Sequence, residues 1–272
     1  MYPFIIISRN RKSCVEKIVD FAVSKNIVSS VVIMDMGSEY SIMKDYLDSL
    51  SNQKIYVHRL KNIGPRQLWS SDVFRSCVGD RGFFLTDGDI DFSESHPDVL
   101  QKLISTSEKY KYFKKVGCAL ALNKLPDKLD KSRLIFESEG DNWSKYRLID
   151  RDTYLAPIDT TIAYYPRYTN DFFHWPAIRV AGEYSVIHTP WHVDYANLNE
   201  EEKFYIDSAK GWGGFGTSSE RGTRDEDLDF RKTKLYLFRV IVKSILKLQP
   251  KIGSMVISKL IRMNNHDSKI DL

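Results

Sequence analysis

The stretch from Gly82 to Phe92 joins an apolar run to a turn with three carboxylates, Asp87 to Asp91, called the acidic turn below. The apolar run predicts a buried strand, and it ends in three carboxylates at alternate positions, Asp87, Asp89 and Asp91. Crowded carboxylates repel one another unless a cation lies between them, and ligands that are all oxygen suit Mg²⁺ or Mn²⁺. A cation held in this way keeps open positions for phosphate oxygens. The first interpretation is therefore a metal–diphosphate site.

Three other interpretations of this stretch stay open. The segment Ser93 to Ser95 before Pro97 fits a helix start, so the carboxylates would cap that helix. A calcium loop is a second option, but it needs Gly at its sixth position and Glu at its twelfth, where this chain has Phe92 and Asp98. A phosphatase-type Asp-x-Asp nucleophile normally follows the first strand of its domain, whereas this run follows the fourth predicted strand.

Composition indicates a globular chain. Its 272 residues, 42% of them hydrophobic, are enough for one large domain or for a domain with an appendage. The three cysteines are odd in number and lack metal-ligand spacing, which is typical of a reducing cytoplasm. The apolar run Phe4 to Ile7 is too short for a signal peptide, and no stretch approaches the roughly 20 apolar residues of a membrane span.

Charge is distributed unevenly along the chain. The segment from Arg231 to Arg262 holds nine Lys or Arg residues and no Asp or Glu, which leaves 31 basic and 36 acidic residues elsewhere, a net charge of −5. Apolar residues surround a basic stripe at spacing four, Arg239, Lys243 and Lys247. Basic amphipathic helices bind anionic membrane surfaces, so we expect a cytoplasmic protein associated peripherally with the inner face of the membrane. A helix packed on the domain or in a dimer is the alternative. The acidic body disfavours nucleic-acid binding.

Strand and helix patterns alternate along the first 120 residues. The predicted strands are Pro3 to Ser8, Val31 to Met34, Ile55 to Leu60 and Phe83 to Thr86, and the predicted helices are Val15 to Val23, Ile42 to Leu50, Gln67 to Val78 and Asp98 to Tyr110. This alternation predicts an α/β fold whose mostly parallel sheet has helices on both faces. Ligands of such sheets bind beyond the carboxyl ends of the strands, so Ser8, Arg9, Asp35, Asp87 and Asp89 should converge there.

The following part of the chain has a different character. Strand-like segments lie within Thr153 to Tyr165 and within Ile178 to His188. A helix is predicted over Glu200 to Lys210 with Asn199 as its N-cap. The glycine-rich segment Lys210 to Ser219 then predicts a loop of the kind that closes over ligands.

Four segments, in this order and spacing, resemble GT-A-fold glycosyltransferases, particularly the bacterial family-2-like enzymes of polysaccharide assembly. They are PFIIISRNR, VVIMDMGS, KNIGPRQLW and FFLTDGDIDF, and together they cover roughly residues 3 to 125. The later segments APIDTTIAYYP and HTPWHVDY look like a subgroup of bacterial glycosyltransferases. The resemblance implies a GT-A-type, Rossmann-like catalytic domain over residues 1–228. It would comprise a nucleotide-sugar half (1–122) and an acceptor half (123–228), followed by a basic amphipathic helical tail (229–272).

The resemblance also implies roles for individual residues at the donor. Asp35 would accept a hydrogen bond from the nucleotide base, next to Ser8 at the end of the first strand. Arg9 and Arg66 would neutralise the donor phosphates, since Arg suits bidentate phosphate contacts. Asp87 would contact the ribose or the metal. Asp35 and the two arginines have plainer alternatives, a turn for Asp35 and surface charges for the arginines.

A divalent cation, Mn²⁺ or Mg²⁺, is implied by the same resemblance. Asp89 would bind it directly, and His188 resembles the histidine that several metal-dependent GT-A enzymes contribute as a further ligand. A histidine beside an aromatic is also commonly a packed polar residue, and His192 is a weaker candidate. At Met36 this chain departs from the Asp or Asn that is frequent in the family, which bears on the base contact.

Transfer with inversion requires a general base for the acceptor hydroxyl. Asp159, a carboxylate within the apolar segment Ala156 to Thr161, is the candidate because burying it without a purpose or a partner is costly. A turn with Thr161 is the alternative role for Asp159. The residues Asp141, Asp150 and Asp152 are alternatives in more polar sequence.

Aromatic residues supply a candidate platform for the sugar or the acceptor. Trp212 and Phe215 lie in the glycine-rich segment, and Trp191 follows His188, although core packing explains Trp191 equally well. The expected partners are a nucleotide diphosphate sugar, a UDP-sugar first, and a glycan or lipid-linked acceptor. A sugar-phosphate nucleotidyltransferase of similar fold and a non-catalytic nucleotide-sugar or membrane-binding module are the rival hypotheses. The first rival usually has a glycine- and arginine-rich loop after the first strand, where this chain has no glycine.

Overall fold

The computed structural model describes residues 1–208 except 112, 124, 126–134, 136–138, 144, 146, 159–160 and 171–176. The strands in these ranges are β1 Tyr2–Ser8, β2 Val28–Asp35, β3 Ile55–Arg59, β4 Phe83–Asp87, β5 Ile90–Asp91, β6 Val116–Cys118, β7 Leu148–Asp150, β8 Thr153–Leu155, β9 Ala163–Tyr165, β10 Ile178–Val180 and β11 Ile187–His188. The helices are α1 Lys12–Val23, α2 Ser41–Ser49, α3 Gly64–Ser70, α4 Asp72–Val78, α5 Val99–Lys109 and α6 Glu200–Ser208.

Nine of these strands form one sheet in the order β3-β2-β1-β4-β9-β6-β10-β8-β7. The strands β3, β2, β1 and β4 are parallel neighbours, as expected for strands joined by helical crossovers. Within the described sheet only β9 and β8 run in the opposite direction. The prediction of an α/β, Rossmann-like and mostly parallel sheet is confirmed. Strands from both predicted halves of the catalytic domain share this sheet.

Both faces of the sheet are covered, because successive side chains of a buried strand point to opposite sides. Phe4 and Ile6 of β1 belong to the core beneath α1, α2 and α5. Ile5, between them, belongs to a second core beneath α3 and α4. The flanking helices therefore leave the carboxyl edge of the sheet as the place where polar side chains gather.

The prediction of a single helix over Gln67 to Val78 is wrong in one respect. The structure breaks it into α3 and α4 at Ser71, whose backbone is extended with φ −75° and ψ 150°. The Ser71 hydroxyl accepts a 3.2 Å hydrogen bond from the Phe74 amide and so caps α4. Serine competes with the helix backbone for hydrogen bonds in this way, and the apolar periodicity around it conceals the break.

The glycine-rich segment and the predicted basic tail, residues 229–272, lie outside the described residues. Among the helices that the structure does describe, none has the length and apolar character needed to cross a bilayer.

Candidate active site

Three strands deliver polar residues to one edge of the sheet. In the register of the parallel ladders, Ser8 at the end of β1 lies beside Asp35 at the end of β2. Ile7 lies beside Asp87, the last residue of β4. The convergence predicted for these strand ends is therefore present in the structure. It follows from parallel pairing, since the carboxyl ends of parallel neighbours meet at the same edge.

Gly88 lets the acidic turn approach β1 closely. A Cβ at this position would lie 2.6 Å from both the Cβ and the Oγ of Ser8, a separation that no side chain tolerates. Ser8 is buried, and its hydroxyl makes no hydrogen bond with the described residues. Glycine between the two aspartates thus brings Asp87 and Asp89 onto the end of β1.

A second, two-stranded sheet places His188 beside the acidic turn. Its strands β5 and β11 are antiparallel, with His188 opposite Ile90. The backbone amide and the hydroxyl of Thr189 both donate to the Asp89 carbonyl oxygen, at 3.0 and 2.9 Å. His188 Nε2 consequently lies 3.7 Å from Asp89 Oδ2. The structure brings together two residues that the sequence analysis assigned to the metal.

The charge state of Asp89 follows from its neighbours. Burial alone would raise the pKa of this carboxyl, but the His188 imidazole and the Arg11 guanidinium outweigh burial and lower the pKa below its ordinary value. Asp89 is therefore a carboxylate at neutral pH. Its Oδ1 and the Nδ1 of His188 are buried and have no hydrogen-bond partner among the described residues.

A divalent cation fits this donor set. Mg²⁺ and Mn²⁺ commonly bind one or two protein oxygens and take their remaining ligands from substrate phosphates and water. Asp89 supplies a carboxylate oxygen of this kind and His188 offers an imidazole nitrogen, while Asp87 lies two residues from Asp89 on the other side of Gly88. Within the described ranges no cluster of three or more His, Cys, Asp or Glu side chains is arranged to hold a metal by itself.

Asp35 is buried in a tight turn. Its Oδ1 accepts hydrogen bonds from the amide and the hydroxyl of Ser38, at 3.1 and 2.5 Å, and its Oδ2 lies 4.0 Å from Arg59. The turn that the sequence analysis gave as the alternative is thus present. One carboxylate oxygen is committed to it, and the other faces the guanidinium.

Asn10 was missed by the sequence analysis. It is fully buried with a positive φ of 57°, a conformation in which Asn is among the most tolerated non-glycine residues. Its backbone amide donates to Ser38, and its Oδ1 accepts from the amides of Glu39 and Tyr40 at 2.8 and 3.1 Å. Asn10 therefore fastens the loop after β1 to the loop after β2. An Asn directly after a strand is only a weak signal in sequence.

Helix α6 lies across the loop between β1 and α1. Asn199 and Glu202 form a reciprocal capping box at its start, as the predicted cap requires. Glu201 accepts hydrogen bonds from the amide and hydroxyl of Ser13 in the first turn of α1, at 3.1 and 2.6 Å. At the other end of α6, Arg9 donates to the Ser208 carbonyl at 3.4 Å. Arg9 is thus turned toward α6 in this structure.

Two buried cations hold the segment that precedes Asp159. Lys115 is fully buried and donates to the Ile158 carbonyl at 2.7 Å. Arg179 is also buried, donates to the Pro157 carbonyl at 2.5 Å and pairs with Glu139. Burial lowers the pKa of Arg179 to about 10, which still leaves it charged at neutral pH.

The remaining candidates differ in how the structure places them. Asp159 and Trp212 lie outside the described residues. Arg66 is exposed in the first turn of α3. The ring centroids of His188 and Trp191 are 5.0 Å apart in an edge-to-face contact, and Trp191 also packs on the core. Burial lowers the pKa of His192, and its neighbour His188 adds to the effect.

Comparisons with known proteins give likenesses of structure only. No protein-family model and no curated protein matches the sequence. A mannosyltransferase from Pyrobaculum calidifontis, in complex with GDP-Man and Mn²⁺, is similar at 9% identity. That match covers 96% of this chain and 79% of the mannosyltransferase, with a TM-score of 0.47.

Two further solved structures are similar over shorter parts. Glucosyl-3-phosphoglycerate synthase from Mycobacterium tuberculosis, in complex with Mn²⁺, UDP and glucosyl-3-phosphoglycerate, matches at 13% identity. The match covers 61% of this chain and 57% of the synthase, with a TM-score of 0.38. Residues 1–349 of TarS from S. aureus, in complex with UDP-GlcNAc, match at 11% identity over 44% of this chain and 34% of that one, with a TM-score of 0.34.

Proposed function

We propose that the chain is a metal-dependent GT-A glycosyltransferase that moves a sugar from a nucleotide diphosphate sugar to a glycan or glycolipid acceptor. The observation that carries this proposal is the acidic turn. At the carboxyl edge of a parallel sheet, the half-buried Asp89 carboxylate has one buried oxygen without a partner among the described residues, and it faces His188. Parallel sheets bind their ligands at this edge, and a cation held there keeps positions open for phosphate oxygens.

The donor half supplies the binding groups. Asp89 and His188 would hold the cation, and Asp87 would contact the cation or the ribose. When bound, the divalent cation neutralises charge on the departing diphosphate. The base would lie near Asp35 and Ser8, whose strand ends adjoin. Arg66, which is exposed, is free to reach an incoming phosphate, and Arg9 would do so after leaving Ser208.

The acceptor half supplies the general base. We assign this role to Asp159, which follows the segment held by Lys115 and Arg179. Main-chain atoms anchored by buried cations make a rigid support, and a general base needs a fixed distance to the proton that it removes. Trp212, in the glycine-rich segment, would cover the sugar. The acceptor belongs to the synthesis of cell-surface polysaccharide.

A nucleotide-sugar screen tests the proposed activity. We expect one nucleotide sugar, a UDP-sugar first, to raise the melting temperature of the full-length chain by several degrees with MnCl₂ and not with EDTA. The same sugar should be hydrolysed slowly without acceptor. Binding without any release of nucleoside diphosphate would favour a non-catalytic module. Consumption of a nucleoside triphosphate together with a sugar phosphate would identify a nucleotidyltransferase.

We further propose that the basic tail, residues 229–272, attaches the enzyme to the inner face of the cell membrane. The nine positive charges from Arg231 to Arg262 support this, since each basic residue near an anionic surface contributes about 1 kcal/mol. Removal of residues from Lys232 onward should release the protein from anionic vesicles and leave transfer to a soluble acceptor intact. Vesicle sedimentation at low and high salt measures the first effect, because salt weakens the electrostatic part.

A melting curve of the truncated chain tests the alternative, in which the tail packs on the domain. A helix that packs on the domain would leave apolar surface exposed when it is removed. Aggregation or a lowered melting temperature of the truncated protein would therefore contradict the membrane proposal.

A further inference from the structure

Arg11 is a buried cation that the roles assigned above do not use. It directly precedes α1, and only 6% of its surface is exposed. Its Nε is buried without a hydrogen-bond partner, and the side chain forms no ion pair with any described residue. Burying a guanidinium without an anion is unfavourable, because the lost hydration is not replaced. The buried position of the Arg11 side chain therefore favours the binding of an anionic ligand.

Tyr205 of α6 fixes the plane of this guanidinium. The Arg11 Cζ atom lies 3.7 Å from the centroid of the Tyr205 ring, which is a close cation–π contact. A neutral ring orients the group and shields one of its faces without neutralising its charge. The in-plane N–H groups stay available to an acceptor, and their planar fork matches a phosphate.

The first turn of α1 connects Arg11 to the acidic turn. Cys14, one helical turn after Arg11, contacts the Thr189 hydroxyl at 3.5 Å, and that hydroxyl donates to the Asp89 carbonyl. The start of α1, where Arg11 lies, is therefore joined through Thr189 to the acidic turn at the same edge of the sheet.

We propose that Arg11, which Tyr205 holds in place, binds the diphosphate of the nucleotide donor at the edge of the sheet where Asp89 and His188 lie. This inference rests on the proposed function and adds a phosphate-binding residue to it. It also gives Tyr205 of α6 a role, because the tyrosine ring would align the guanidinium with the donor.

Calorimetry on the full-length chain tests the proposal. The probes are UDP and GDP, with uridine and guanosine as matched ligands that lack phosphate, each titrated in MnCl₂. Arg11→Gln should raise the Kd of the bound diphosphate about tenfold or more, the effect of losing charge-assisted hydrogen bonds, and change that of the nucleoside less than about twofold. The melting temperature without ligand should stay the same or rise, because an unpaired buried charge is removed.

Substitutions of Tyr205 and of Lys25 distinguish a phosphate-binding role of Arg11 from a structural one. Tyr205→Phe keeps a ring under the guanidinium and should bind the diphosphate like the wild type, whereas Tyr205→Leu should weaken diphosphate binding and spare the nucleoside. Lys25, two residues after the end of α1, makes a cation–π contact of 4.6 Å with Phe21 and is the matched control. Lys25→Gln should leave both affinities unchanged.

Three outcomes overturn the inference. Equal diphosphate affinity in the wild type and Arg11→Gln removes Arg11 from the phosphate site and leaves the proposed function standing. A lowered melting temperature with equal weakening of diphosphate and nucleoside assigns Arg11 a structural role. A wild type that binds neither UDP nor GDP overturns the proposed function as well. If Arg11→Gln does not fold, the comparison of Tyr205→Leu with Tyr205→Phe decides in its place.

Discussion

Replacing Asp89 with alanine is expected to abolish turnover and to leave the fold intact. The variant removes the one described carboxylate that faces His188 and has an unpartnered buried oxygen. Loss of the cation would leave the charge on the departing diphosphate uncompensated, which costs several kcal/mol and slows turnover about 10³-fold or more. Initial rates over a range of MnCl₂ concentrations measure the loss. Melting curves with UDP and MnCl₂ should show no stabilisation of this variant.

Asp91 provides a matched control within the same acidic turn. Its carboxylate accepts a 2.7 Å hydrogen bond from the Ser93 amide, a local structural contact. Asp91→Ala should therefore lower stability by about 1 kcal/mol and leave metal dependence unchanged. Full activity of Asp89→Ala in the presence of a chelator would contradict the metal assignment.

Asp159→Asn is expected to lower kcat by about 10²-fold or more and to leave the Kd of the donor nearly unchanged. The amide keeps the size of the side chain and removes its basicity, so the effect falls on the chemical step. Rapid-mix product analysis and calorimetry measure the two quantities separately. The buried cations Lys115 and Arg179, which hold the preceding carbonyls, should keep the segment in place in this variant.

Asp152 is the control for this second experiment. It forms a 3.0 Å ion pair with Lys102 of α5, so it serves the packing of that helix. Asp152→Asn should leave kcat unchanged. Failure of Asp159→Asn to fold would favour a buried structural carboxylate. A product with retained configuration would remove the need for a general base and make Asp159 a positioning residue.

The parallel half of the fold could be predicted because its signals are local. The strands β1, β2 and β4 each contain a short apolar run, and β1, β2 and β3 are each followed directly by a helix. Polar residues at the strand ends, such as Ser8 and Asp35, then have to share an edge. The acidic turn was found for the same reason, since its chemistry is contained in a few consecutive residues.

The parts that sequence patterns predict poorly depend on distant pairing. Strands β5 and β11 have two residues each, too few for a periodic signal, and they meet only after the rest of the sheet has formed. Arg11 looks like an ordinary surface cation until α6 folds back and buries it. The break at Ser71 is invisible for a different reason, because a serine hydroxyl that caps a helix leaves the apolar spacing unchanged.

The pairing of β5 with β11 links the candidate active site to the order in which the chain folds. Thr189 and Asp89 lie 100 positions apart, so a long stretch of polypeptide must be in place before these contacts form. Contacts of such high sequence separation form late, because closing the long loop between them costs chain entropy before the contacts contribute any stability. A ribosome-bound chain that has emerged only as far as β5 would hold the acidic turn without its histidine. The chain would then bind a metal-bound nucleotide only after folding is complete, so this binding would report that the domain has finished folding.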